Sequence, residues 1–356
     1  MATDILSGSF WFLFAYDVGE EIDLEALRKL VPPNVGPTFR RAAPDYVKFE
    51  RPPVVERLAP VTVEGVGELR GELNYYDYGV VSVKLELPFA HSWPDLVARW
   101  SRLIDSPEAQ AHANEVVRLR LARVSACLKK PHEAWLDEEY AVVHVDAASS
   151  PLIQEHGPEI AQIVRGEATP LSVGERDEVL RSQLSYFPHD LIVVGWTAAF
   201  IYDTAQGAAA AIQLLEYANS QLLQFRHYDR VLTEVLEGVH RSLARQTGLW
   251  ARWRMANEAR QLNSILLEVR QLTERADTAI KFLSDMYSAR VYRLAAEKIG
   301  VGDYRRLVDS KLHTAAELYT FMMDQFHSSR AFVLELMVVI ILVIDLVYLF
   351  KGKAKG

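Results

Sequence analysis

Along the first two hundred residues, apolar positions come in short alternating bursts separated by stretches with helical spacing. Strands are predicted at 10–16, 61–66, 80–87, 140–145 and 191–202, and helices near 24–30, 93–104, 107–128 and 175–185. Residues 40–60 read as an extended loop. Strands separated by helices, some of them adjacent, predict an α+β head over 1–204, such as a ferredoxin-like sandwich.

From 205 onward the period changes to that of long helices. They are expected over about 206–243, from 249 toward 299, and from 303 onward, with Gly300 and Gly302 marking the last break. Leu262, Ile265, Val269, Leu272, Ala276, Ala279, Leu283 and Met286 alternate steps of three and four. Leu312, Ala315, Tyr319, Met322 and Phe326 repeat the pattern. Such spacing predicts a coiled-coil-like stalk over 205–330 and a homo-oligomer or an intrachain bundle.

Residues 331–350, AFVLELMVVIILVIDLVYLF, are nearly all apolar. The length suits one transmembrane helix, and summing its aliphatic and Phe residues gives roughly −5 to −9 kcal/mol toward insertion, against roughly +3 for a central acid. A basic tail at 351–356 follows, where Lys351, Lys353 and Lys355 would meet lipid headgroups. Glu335 and Asp345 would either form an acidic ring in an oligomer or sit at the headgroups, protonated or snorkelling. Trp250, Arg252, Trp253 and Arg254 suit a membrane interface, although a core-plus-surface role is the reading favoured for them. The run at 10–16 lacks a basic flank and meets Asp17, Glu20 and Glu21, so it is no signal peptide. A bacterial inner-membrane location with a cytoplasmic head is therefore expected.

Composition narrows the chemistry. A formal charge of −8 argues against general nucleic-acid binding. Cys127 is the single cysteine, which excludes an intrachain disulfide or a multi-thiolate metal site. Gly65, Gly67 and Gly71 miss the dinucleotide-binding spacing, and the chain holds no phosphate loop, nucleophile elbow or zinc-protease motif. His189 with Asp190, and His227 with Asp229, are candidates for a polar network or a weak metal site.

Three stretches carry a resemblance: Tyr76-Asp77-Tyr78-Gly79-Val80-Val81, the Phe187-Pro188-His189-Asp190 run with the apolar residues after it, and the terminal apolar run with its embedded acids. Together they resemble the "required for meiotic nuclear division" domain family. That resemblance implies a membrane-bound oligomeric scaffold, since its eukaryotic members are mitochondrial inner-membrane proteins supporting organellar translation. The head-stalk-anchor plan also looks like magnesium channels of the CorA type, without their second membrane helix or Gly-Met-Asn signature. The expected function is accordingly a non-enzymatic, cofactor-free scaffold whose partners are lipid, itself and another protein. The alternatives are an ion pore lined by Glu335 or Asp345 and an enzyme built around His189, Asp190 and Asp229.

Overall fold

The computed structural model describes residues 5–31, 51–146, 152–245, 259–260, 262–267, 269–270 and 286–353. Among these, eight strands build one mixed sheet: β1 (Leu6–Ile22), β2 (Val54–Val63), β3 (Gly67–Tyr75), β4 (Val80–His91), β5 (Leu128–Asp146), β6 (Gln183–Leu184), β7 (Leu191–Val194) and β8 (Ala198–Asp203). Their spatial order is β2-β3-β4-β1-β5-β8-β7-β6, and every pairing is antiparallel except β5 with β8.

β1 lies at the centre, and residues 12–19 are buried without a break because both faces of the sheet are covered. Phe10, Phe12, Phe14 and Tyr16 point into an apolar core shared with helices α2 (Trp93–Leu103), α3 (Pro107–Val124), α4 (Leu152–Arg165) and α5 (Val173–Leu180). Helix α1 (Leu24–Leu30) joins the same core through Leu24 and Leu27. Ser92 caps α2 by accepting from the Asp95 N–H, and Trp93, Leu96, Val97, Trp100 and Leu103 form its buried stripe. Trp100 is fully buried, stacks on Phe10 at 5.2 Å, and donates its indole N–H to the Ile163 carbonyl at 2.7 Å.

The opposite face is covered by α6 (Ala205–Arg245), and its character is different. Residues 214–225 of this helix are buried on every side, yet they include Glu216, Asn219, Ser220, Gln221 and Gln224. The sheet answers with polar groups. The Asn74 amide donates to Glu216 at 2.6 Å, and the Lys84 ammonium lies 3.1 Å from Glu216 and 2.7 Å from Glu72. Tyr78 and Ser220 share a hydroxyl hydrogen bond of 2.7 Å. Burial works to lower the Lys84 pKa, but the two carboxylates more than offset it and hold the ammonium above the ordinary lysine range.

The chain divides into two compact units: residues 1–227 with 273–305, and residues 228–272 with 306–356. The first contains the sheet and α7 (Met286–Ile299). In the second, Ala259, Leu262, Leu266 and Val269 are buried at three-four spacing, as are Val308, Leu312, Ala315 and Met322 of α8 (Val301–Lys353). Lys311 reaches Asp229 Oδ1 at 2.5 Å and Thr233 Oγ1 at 2.6 Å within this unit. Positions 272–283 of the expected seam lie outside the described residues.

The predicted fold class requires correction in two respects. The sheet is eight-stranded and mixed, not a ferredoxin-like sandwich. Residues 67–75, passed over for their three charges and two glycines, form β3, and 191–202 is two antiparallel strands turning at Gly195. β5 begins at Leu128, twelve residues before the expected strand, because its first half is charged and half-exposed.

The second correction concerns the anchor. Among the described residues, no helix is long and apolar enough to cross a membrane. The run 331–350 is helical, and within it the described side chains are those of 337–344. The expected transmembrane helix, and the inner-membrane location that rested on it, are therefore not supported. The side chains of Glu335, Asp345, Lys351 and Lys353 lie outside the described residues, as do Lys355, Trp250, Arg252, Trp253 and Arg254 entirely.

Candidate metal centre

Three residues far apart in sequence meet where α6 crosses the end of β1. Asp17, His132 and His227 each present one ligand atom, and these atoms lie within 4.8 Å of one another. Asp17 Oδ2 is 2.6 Å from His227 Nδ1 and 3.2 Å from His132 Nδ1. The Asp17 side chain is 1% exposed, with His132 at 17% and His227 at 13%.

Each arrives for a local reason. Asp17 is the odd-numbered neighbour of Tyr16, so strand alternation turns it away from the apolar core and toward α6. In the β1–β5 pairing Asp17 opposes Leu136 but Gly19 opposes Pro131, so β5 carries an irregular excursion there. That bulge lifts His132 across the end of β1, placing its Nδ1 3.3 Å from the Asp17 carbonyl oxygen. His227 follows Glu216, Ser220 and Gln224 on one face of α6, at steps of four, four and three. Gln224 donates to Asp17 Oδ1 at 3.4 Å, the outer-sphere contact that orients a ligating carboxylate.

Burial would raise the Asp17 carboxyl, but hydrogen bonds from His132 and His227 overcome it and hold the group below the usual carboxylate range. His132 is raised, first by its hydrogen bond to Asp17 and against the effect of burial. A carboxylate and two imidazoles are a donor set of zinc and other first-row divalent ions, and a bound ion would take the place of the proton that Asp17 favours on His132.

Donors at about 2.0–2.2 Å from a shared ion sit about 3.0–3.5 Å apart. The His132 to Asp17 distance of 3.2 Å meets this; the 2.6 Å of His227 asks for a small outward shift. The two imidazoles stack at 4.6 Å and 11°. Since a metal lies in the plane of each ligating ring, one ring must turn about its Cβ–Cγ bond to share the ion.

The sequence candidates scatter. His227 joins the centre, while Asp229, two residues on, faces another side of the helix and pairs with Lys311. Asp190 accepts from the Tyr186 and Phe187 N–H groups at 2.7 and 2.9 Å, closing a tight loop before β7, and His189 is exposed beside it. Asp17 and His132 escaped notice. Asp17 ends an apolar run, and His132 lies in a charged stretch between Pro131 and Glu133, so nothing in the local sequence joins either to the other ligands.

Residues 7–209 match the profile of a family described as "Uncharacterized protein MJ0711, N-terminal domain". The chain belongs to this family. Among its MJ0711 relatives is the uncharacterized protein MJ0711 of Methanocaldococcus jannaschii, 19% identical over 222 residues, which cover 62% of this chain and 68% of that protein. No solved structure matches the chain. The match to the MJ0711 family takes in the whole sheet with Asp17 and His132, and His227 lies beyond it.

Membership corrects the resemblance to the "required for meiotic nuclear division" family. The motifs behind it were short, and the structure gives two of them local roles. Tyr76–Val81 makes the β3–β4 turn, in which Tyr76 and Tyr78 stack at 5.2 Å, and Phe187–Asp190 closes the loop before β7.

Proposed function

We propose that this protein binds a divalent transition-metal ion, zinc by preference, through Asp17, His132 and His227. The observation that carries the proposal is the convergence of ligand atoms from a buried Asp17 and two part-buried histidines on β1, β5 and α6. Zinc fits a set of two imidazoles and one carboxylate, and three protein ligands leave one position for water. The ion would tie the central strand, its neighbour and the covering helix together. A stacked, proton-bridged Asp-His-His cluster without metal is the competing arrangement, and the test separates the two.

After dialysis against chelator, addition of Zn²⁺ should raise the melting temperature by about 4 °C, the shift expected when free metal reaches about 100 times Kd. Mg²⁺ should not do so, and His227→Ala should abolish the zinc effect. Equal melting with and without zinc favours the metal-free cluster and defeats the proposal.

A second reading rests on a different observation. Residues 337–344 of α8 are apolar on every side and 48% to 62% exposed, a surface that a helix normally buries against others. With the three-four seams of the second unit, this supports self-association of α8 with a second copy of the chain. The native mass should then fall when the chain is cut after Arg330; a monomer at both lengths rules it out.

A further inference from the structure

A cavity of about 470 Å³ opens at the start of α6, lined from the β6–β7 loop, β7, β8, α6 and α7. Its volume lies within the roughly 300–1,000 Å³ of small-molecule sites. All of these lining residues belong to the first compact unit.

The chemistry of the walls is one-sided. Two carboxylates, Asp190 and Asp203, line the space, and among the described residues that line it there is no Lys, Arg or His. Three aromatic rings join them. Tyr186 meets Phe187 edge-on at 4.7 Å and 81°, and meets Tyr287 at 5.4 Å and 64°. Tyr186 and Phe187 are 63% and 62% exposed, unusual for rings held this firmly. The Asp190 carboxylate fixes the backbone N–H groups of both, and Ser185 donates to the Phe187 carbonyl at 2.6 Å. The loop is thus ordered before anything binds.

Asp203 stands at the head of α6, where its Oδ1 accepts the Thr204 N–H at 2.6 Å. Gly207 makes room for it: a Cβ there would lie 2.0 Å from Asp203 Oδ2. Burial, with Asp190 adding to it, pushes the Asp203 carboxyl above the ordinary range, against the opposing effects of the Thr204 hydrogen bonds and His144.

Rings whose faces carry negative charge, beside half-buried carboxylates, attract an organic cation. We propose that this cavity binds a small organic ammonium ion on an apolar body, with the charge between Asp203 and the Tyr186, Phe187 and Tyr287 rings.

The probes are choline, butylammonium and spermidine, with 3,3-dimethyl-1-butanol as the uncharged isostere of choline, followed by calorimetry and intrinsic fluorescence on the full chain. At least one cation should bind saturably, and choline at least ten-fold tighter than its isostere if choline is the one that fits. Asp203→Asn should weaken the binding cation at least ten-fold. Tyr186→Ala, which alters an exposed side chain and should leave the fold intact, should weaken it several-fold. The proposal fails if no cation saturates below about 10 mM, a Kd worth under 3 kcal/mol. It also fails if Asp203→Asn and Tyr186→Ala, both with unchanged melting temperature, bind as the parent does.

Discussion

Replacing Gly79 by alanine should lower stability by at least about 3 kcal/mol, read as a fall of roughly 4 °C in melting temperature. Gly79 adopts φ +83°, a region that L side chains rarely enter, and a Cβ there would stand 1.7 Å from the Gly19 carbonyl oxygen. The obstacle is backbone, so no rotamer change relieves it. The Gly79 carbonyl also accepts the Val18 N–H at 3.0 Å, which fastens the β3–β4 turn to β1 beside Asp17. Gly65→Ala is the matched control: its φ of +79° is similar, but nothing lies within 4 Å of the new Cβ. That variant should lose only about 1 kcal/mol, the cost of the backbone conformation alone. Equal losses at the two positions would show that the close approach of Gly19 has no energetic consequence.

Glu216→Leu should be the most damaging single change on the α6 face of the sheet. Glu216 is 1% exposed and receives both the Asn74 amide and the Lys84 ammonium. Removing it strands a lysine that is 12% exposed, with Glu72 as its remaining carboxylate. Breaking a buried pair from one side costs about 3–5 kcal/mol, or about 4–7 °C of melting temperature here. Adding Lys84→Met removes the stranded charge along with its partner, and the double variant should recover at least half the loss. A double variant no better than the single would mean that the loss comes from packing at α6 and not from the unpaired charge.

Both effects sit on the side of the molecule that the sequence hid. The α2–α5 face was legible because its stripes follow simple periods: Trp93, Leu96, Val97 and Trp100 announce a helix, and Phe10, Phe12, Phe14 and Tyr16 an inward strand face. The α6 face mixes Asn74, Ser82 and Lys84 with Glu216, Ser220 and Gln224, residues that read as solvent-exposed when taken one at a time. Asn74 and Lys84 meet Glu216, Tyr78 meets Ser220 and Asp17 meets Gln224, each between the sheet and α6, pairings that a single strand or helix does not display. β3 and the first half of β5 were missed because their charged residues interrupt the apolar alternation.

The metal centre shows this most sharply. Its ligands are 115 and 95 residues apart along the chain, so no spacing rule joins them. His227 was singled out for the wrong neighbour, Asp229, when its partner is Asp17. The bulge that delivers His132 depends on how β5 pairs with β1, which only the folded sheet defines. The apolar run at 331–350 misled in the other direction, since hydropathy over twenty residues outweighed everything else about the segment.

The most direct test of the metal assignment is the zinc K-edge absorption spectrum of chain loaded with one equivalent and passed through a desalting column. Two imidazole nitrogens and oxygen donors at about 2.0–2.1 Å are predicted, with one imidazole lost in His132→Ala. Zinc that washes away, or a first shell identical in the parent and the variant, would contradict the assignment.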